Sequence, residues 1–451
     1  MSKNNISTFL KYISLKELDY WDVKRYSNDN LLSFNNAVLL KDILIYEKEN
    51  ILKDAIKENK WKIISKINFS GKLFLRDYDE VDTYKGSLYK VPSNSIIYSK
   101  INVRHGCIYY HEHNKTPFTV SSEYPIFVFN DKEINGYYLK LVLRSASFKR
   151  LLDTKTSGIG KSRVKVDEFL NIKIPLPSLK EQNELLEKYN TKILFAEEQE
   201  KEAKKIEDDI EDFFNNEIGL VKKELKSKSK NLLKTITYTN VEKWGVDKLN
   251  TNQNISYIKN FTQKNIQSIA TVSSGGTPSR SNKEYYTGKI PWIKTGEVVN
   301  DIILDTKEKI TVEAIKNSSA KVYPKDSLII AMYGQGLTRG RTAKLGVDAS
   351  TNQACAVLSN IDNELIDTDY LWFYLMNEYH RLRELASGNN QPNLNAEMVK
   401  NYKVVIPSFD IQEKIVTEVT KRKAKVKRLK KEAIQNREDA IKEFEEEIFT
   451  K

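Results

Sequence analysis

Along most of the chain, apolar residues come in short runs broken by Gly, Pro, Asn and Ser, but two long stretches space them three and four positions apart. The first, from 179 to about 225, carries Leu186, Tyr189, Ile193, Ala196, Ala203, Ile206, Ile210, Phe214, Ile218 and Val221. The second, from 409 to about 449, carries Ile411, Ile415, Val419, Val426, Leu429, Ala433, Ala440, Phe444 and Ile448. This period predicts two charged helices with one apolar stripe each, departing in places from strict heptad order. Gly219 is their sole internal helix breaker. Roughly 40 helical residues span about 60 Å, more than a globular domain needs, so each helix is expected to act as a spacer or docking surface.

Elsewhere, the runs Pro92-Ser93-Asn94-Ser95-Ile96-Ile97 and Pro324-Lys325-Asp326-Ser327-Leu328-Ile329 read as strands of mixed α/β domains. Their likeness belongs to a larger repeat. Shifting the sequence by 230 residues lays Ser157-Gly158 on Ser387-Gly388, Pro177-Ser178 on Pro407-Ser408 and Gln182 on Gln412 without a gap. Asn171 and Lys173 fall on Asn401 and Lys403, and Phe214, Glu217 and Ile218 on Phe444, Glu447 and Ile448. Trp21-Asp22-Val23 matches Trp244-Gly245-Val246 more loosely. Each copy ends in one order: a helical stretch (137–152; 370–385), a polar Gly loop (157–163; 387–395), a short strand ending in Pro (172–176; 402–406) and a long helix. A period this long means duplicated domains. The division expected is a first domain over 1–178, a central helix over 179–226, a linker over 227–240, a second domain over 241–408 and a terminal helix over 409–451.

Charge adds an orientation. The central helix is acidic over 197–212 and the terminal helix basic over 421–431. Antiparallel pairing with aligned ends sets 197–212 against 433–418, block against block, with Lys425 opposite Glu207. Exposed ion pairs contribute only about 0 to 1 kcal/mol, so the apolar stripe would supply stability while charge selects direction. The rival reading has the basic block gripping phosphates.

Over the whole chain, 73 Lys and Arg against 61 Asp and Glu give a net charge of +12, which favours a polyanionic partner. A hydrophobic content of 40% can fill real cores. Two cysteines, Cys107 and Cys355, exclude a disulfide framework and a zinc module built from cysteines. Without a leader or a long apolar run, a cytoplasmic protein with no membrane role is expected.

The second half holds Ser274-Gly275-Gly276-Thr277-Pro278-Ser279, Tyr285-Tyr286-Thr287-Gly288-Lys289-Ile290-Pro291-Trp292-Ile293, Gly334-Gln335-Gly336-Leu337-Thr338-Arg339-Gly340 and Thr351-Asn352-Gln353. Together with the paired Ser-Gly loops and long helices, these segments resemble the specificity subunit of type I restriction-modification systems. The first half shares the loop and residues 175–182 but has no counterpart of the Gly-Gly-Thr-Pro segment. The resemblance implies an α+β fold: two mixed α/β target-recognition domains in pseudo-twofold arrangement, separated by an antiparallel pair of long coiled-coil helices. It also implies that each domain reads one half of a bipartite site in double-stranded DNA. Two modification subunits would carry S-adenosylmethionine, and restriction subunits would use ATP and Mg. No cofactor, metal or catalytic residue is expected in this chain.

Candidates for DNA contact follow from side-chain chemistry. Arg339, Arg341 and Lys344 cluster near glycines that let a phosphate approach, and Gln335 and Thr338 can reach base edges. Arg280, Lys283 and Lys294 flank the Gly-Gly-Thr-Pro and Pro-Trp segments, while Asn389, Asn390 and Gln391 supply amides of the kind that bind adenine. In the first half the candidates are Lys100, Arg104 and His105, with Lys161 and Arg163 after the Ser-Gly loop.

Other signals are weaker. Residues 155–162 have Lys155 where a phosphate loop requires Gly, and Gly334-Gln335-Gly336 lacks the helix and acidic partner of a dinucleotide site. His105, Cys107, His111 and His113 match no structural zinc spacing. A coiled-coil adaptor, or a self-contained DNA methyltransferase or nuclease, are the competing functions.

Overall fold

The computed structural model describes residues 36–155, 163–222, 255–257, 259–334, 336–385 and 393–449. The Trp21 and Trp244 segments, the linker and most of each Ser-Gly loop lie outside the described residues. The chain forms two compact units, one of Met1–Glu200 with Lys430–Lys451 and one of Lys201–Leu429.

In the first unit an antiparallel sheet runs in the order Ile45–Glu47, Ile126–Val128, Ser95–Tyr98, Ile108–His111. A second sheet runs Asn50–Ile51, Leu88–Val91, Phe118–Val120, Ile63–Ile67, Leu73–Arg76, with Ile63–Ile67 parallel to Phe118–Val120. In the second unit one sheet runs Thr271–Ser274, Cys355–Ser359, Leu328–Ala331, Thr342–Leu345, Ile302–Ile303. The other runs Lys309–Ile310, Ile290–Ile293, Ala349–Thr351, Val322–Tyr323, again with its middle pair parallel. Four strands of each sheet thus keep one order in both units. The additions are Asn50–Ile51 in the first and Ile302–Ile303 in the second.

The repeat is obeyed to the residue where its sequence match is gapless. Helix Val166–Leu170, strand Lys173–Pro175 and helix Leu179–Glu217 begin at the positions that Ala396–Lys400, Lys403–Ile406 and Phe409–Phe449 occupy 230 residues later. Gln182 and Gln412 are fully buried and do equivalent work. Gln182 Oε1 accepts from the Asn135 N–H at 2.9 Å while its Nε2 donates to the carbonyls of Glu133 and Pro177, both at 2.9 Å. Gln412 Oε1 accepts from the Asp367 N–H at 2.7 Å and its Nε2 donates to the carbonyls of Pro407 and Leu365. Buried backbone groups left unpaired are costly, so one amide closes each helix–strand corner. A second pair of equivalents escaped the gapless match: buried Tyr138 donates to the Pro175 carbonyl at 3.0 Å and buried Tyr370 to that of Val405 at 2.7 Å.

Three elements differ from the sequence expectation. The stretch 137–152 is two helices, Gly136–Arg144 and Ala146–Lys155, because Ser145 Oγ accepts from the Phe148 N–H and starts the second. The stretch 370–385 is likewise Thr368–Asn377 and Tyr379–Leu385. The central helix ends at Glu217, not near 225: Gly219 takes a left-handed φ of 69°, and Leu220–Lys222 becomes a strand paired with Ile255–Tyr257.

Within each unit the two long helices pack antiparallel. In the first unit Lys188 meets Glu447 at 3.0 Å, Arg437 meets Glu200 at 3.0 Å, and Asn436 donates to Gln199 at 2.8 Å. In the second, Ala203, Val426 and Leu429 form a buried seam, Lys414 meets Glu217 at 2.7 Å, and Arg422 donates to the Asp209 carbonyl at 2.9 Å. Lys425 pairs with Glu202 at 2.6 Å, in place of the expected Glu207. Not all of the basic block faces the acidic helix. Lys423 lies 5.1 and 5.5 Å from the rings of Trp372 and Phe373 and donates to the Asn300 carbonyl, and Lys427 meets Asp301 at 3.2 Å. Burial holds the Lys423 ammonium below the usual lysine range.

The tip of each long helix enters the core of the unit that the other repeat's domain builds. Phe444, Ile448 and Phe449 join the first unit's core, where Phe444 sits 5.8 Å from the Tyr138 ring. Phe214 and Ile218 join the second unit's core, where Phe214 stacks 5.8 Å from the Tyr370 ring.

Candidate nucleic-acid interface

In the second unit the segments that carried the resemblance converge on one another. A Cβ on Gly275 would lie 2.0 Å from the Thr351 carbonyl oxygen and one on Gly276 2.4 Å from the Ala320 nitrogen, so this backbone approach requires glycine. The Gly276 N–H donates to Thr351 at 2.9 Å, and its carbonyl accepts from the buried Trp292 indole at 3.0 Å. The Thr277 hydroxyl bonds the Gln353 side chain, and Tyr286 donates to the Pro278 carbonyl at 2.7 Å. These residues build a platform before they build a contact surface.

Several candidate cations are tied into that platform. Arg280 lies 4.2 Å from the Tyr286 ring and 4.9 Å from that of Trp292, and its guanidinium meets Glu308 at 2.7 Å. Lys294 bonds the other oxygen of the same carboxylate. The Lys294 and Arg280 bonds hold the Glu308 carboxyl below the usual carboxylate range. Lys344 is largely covered and meets Asp369 at 2.8 Å and Asp326 at 3.3 Å. Burial disfavours its charge, but the two carboxylates outweigh that and hold it above the usual lysine range. Lys283 is exposed in the turn Lys283–Tyr286.

Thr338, Arg339 and Arg341 sit, half-buried, on the loop that joins strand Leu328–Ala331 to Thr342–Leu345. Backbone bonds from Met332 to Ala354 and from Leu394 to Met332 gather this loop, the Thr351-Asn352-Gln353 segment and the chain at Leu394. In the first unit Lys100 bonds Glu123 and Val164 bonds Lys100 through the matching backbone groups. Lys100 therefore stands where Met332 does, and Arg104 and His105 follow on the equivalent loop. Arg163 is exposed and meets Glu123 at 3.4 Å. Lys161, Gln335, Asn389, Asn390 and Gln391 lie outside the described residues.

Sequence reasoning passed over the groups that hold these loops. Arg144 donates from Nε to the Gly106 carbonyl at 3.2 Å and from Nη2 to that of Phe69 at 3.4 Å. Arg383 donates to the Arg339 carbonyl at 3.0 Å, and Tyr379 to that of Leu337 at 2.8 Å. The two arginines are not repeat partners in sequence, so the 230-residue shift could not expose them. Phe69, 64% exposed, lies 5.0 Å from His105.

The histidine-rich segment is dispersed. His105 lies against Phe69, buried His111 stands edge-on to Phe118 at 5.0 Å, and His113 meets Asp131 at 3.5 Å. Among the described residues no group of three or more His, Cys, Asp or Glu is arranged to hold a metal. Both cysteines are free and buried, and burial raises their thiol pKa values, that of Cys355 to about 12. Among the described residues no helix is long and apolar enough to cross a membrane.

The type I restriction modification DNA specificity domain matches twice, over residues 35–208 and 258–436. The chain belongs to that family. It is 30% identical over 166 residues to the type I restriction enzyme MjaIX specificity subunit of Methanocaldococcus jannaschii, and 26% over 165 residues to the HindI specificity subunit of Haemophilus influenzae. Each match takes in 35% of this chain, and they span 37% and 35% of those relatives. A chain solved in work on complex assembly and conformational transition of the type I R-M system superposes with a TM-score of 0.57 at 14% identity, covering 90% of this chain and 95% of that one. The two family matches coincide with the repeated domains and the greater part of both long helices.

Proposed function

We propose that this chain is the DNA-reading subunit of a type I restriction-modification complex and carries no catalytic centre of its own. Each unit reads one half of a bipartite, asymmetric site in double-stranded DNA, and the long helices set the separation of the halves and dock two modification subunits. S-adenosylmethionine would be held by those subunits, and ATP and Mg by restriction subunits. The observation that carries this reading is the pair of units with one strand order and unlike loops: a common scaffold presents different side chains to the same kind of target. Lys100, Arg104, His105 and Arg163 serve the first half-site, and Thr338, Arg339 and Arg341 the second. Arg280, Lys294 and Lys344, each tied to a carboxylate of the same unit, act through the shape of the platform more than by direct phosphate contact.

A coiled-coil adaptor is disfavoured because much of the basic block on the terminal helix is spent inside its own unit, leaving the excess positive charge to other surfaces. Mapping methylated adenines in a host that carries this chain and its partner subunits tests the proposal. Methylation at two short base blocks with a fixed gap is expected. Methylation independent of this chain would overturn it.

A further inference from the structure

We propose that Arg144 and Arg383 are positioning residues, each fixing the base-reading loop of its own unit and so the sequence read there. The inference rests on the DNA-reading function proposed above. Neither arginine needs to touch DNA.

The geometry converges from unrelated positions. Arg144 closes helix Gly136–Arg144, and Arg383 lies inside helix Tyr379–Leu385. Each spends its guanidinium on backbone carbonyls of the loops it faces. Arg144 bridges two of them, joining Gly106 to Phe69 at the tip of the neighbouring hairpin. Arg383 takes the Arg339 carbonyl and also donates to the Tyr379 hydroxyl at 3.0 Å, which itself holds the Leu337 carbonyl. Each arginine is seated on a left-handed glycine. A Cβ on Gly71, with φ of 76°, would lie 2.7 Å from the Arg144 guanidinium carbon, and one on Gly340, with φ of 84°, 3.0 Å from Arg383 Cγ.

A guanidinium is suited to this task because its fork carries several donors in one plane, whereas an ammonium offers a point charge. Readout needs a loop held before the duplex arrives, since a loose loop spends binding energy on being ordered. Anchoring carbonyls leaves the side chains of Thr338 and Arg339, or of Arg104 and His105, outside the clamp itself.

The test uses the full-length chain with its co-purifying subunits, incubated with a pool of duplexes of random sequence that is sequenced after capture. The wild type should select two base blocks. R383A should flatten the preference at one block by at least about tenfold and R144A at the other, each sparing its neighbour, because each arginine makes two hydrogen bonds and loss of even one charge-assisted bond produces that fold-change. R144K and R383K should fall in between. The salt dependence of binding should stay that of the wild type, because these charges meet carbonyls and not phosphates. Should an alanine variant fail to fold, the lysine variant at that position decides the point. Wild-type selection with undisturbed variants, or equal loss at both blocks, overturns the inference alone. Failure of the wild type to select any block overturns the DNA reading beneath it.

Discussion

The two units cover the same edge of the same sheet in different ways. In the first, the chain leaving Ile45–Glu47 adds a short strand, Asn50–Ile51, which pairs with Leu88–Val91. In the second, the chain leaving Thr271–Ser274 presses Gly275 against Thr351, the end of strand Ala349–Thr351, and Gly276 against Ala320, just before the corresponding edge strand Val322–Tyr323. Both use backbone hydrogen bonds, since the Gly276 N–H donates to Thr351, but only the second also depends on contact that a Cβ forbids. The absence of a Gly-Gly-Thr-Pro segment from the first half therefore marks a change in how an edge is closed, not a change of fold.

The largest effect should come from Gly275→Ala. With Thr351 oxygen 2.0 Å from the new Cβ, backbone must shift, and destabilisation of about 3 kcal/mol is expected. Hydrogen exchange should show it in strands Ile290–Ile293 and Ala349–Thr351 while the first unit stays protected. Equal loss in both units would break the comparison.

Gln412→Leu and Gln182→Leu should come next and match each other. Each strands one backbone N–H and its partner carbonyls, for about 2 kcal/mol, read as a lowered denaturant midpoint. A large difference between the two would mean that the corners are not equivalent.

A smaller asymmetry concerns pH. Glu378 stands between two helices of the second unit, where the first has Ser145. Burial pushes its carboxyl above the ordinary 4.5, although Arg381 and Tyr402 partly oppose this. A carboxyl raised in the fold gives up its proton more readily when unfolded, so its contribution to stability falls as pH climbs from 4.5 through the raised value. Glu378→Gln should therefore gain on the wild type across that window in parallel melts. A gap that narrows as pH rises would contradict the assignment.

The smallest effect belongs to the helix seam. Glu202→Lys and Lys425→Glu should each cost less than about 1 kcal/mol, and the double variant should recover most of it, less visibly in high salt. Replacing Glu202→Lys with Glu207→Lys in that cycle should abolish the recovery.

Much of this architecture was readable in the chain. The shift from Gln182 to Gln412 located helix, strand and long helix in both copies because no insertion separates those elements. Tyr138 and Tyr370 stand 232 positions apart, two more than the repeat, so the gapless comparison missed them although they make the same bond. The strand order of the first unit was hidden for another reason: its strands keep the pairing order of the second but few of its residues. Reading Arg280, Lys294 and Lys344 as candidate contacts used their charge, and charge cannot reveal that Glu308, Asp326 and Asp369 stand beside them.

By itself, then, the sequence determined the duplication, the two amphipathic rods and their antiparallel sense, because periodicity and charge are properties of neighbours along a helix. Tertiary structure alone decided which carboxylate each cation meets, where the central helix stops, and which arginine holds which loop. Those choices depend on groups far apart in the chain being brought within 3 or 4 Å, a distance that no local pattern encodes.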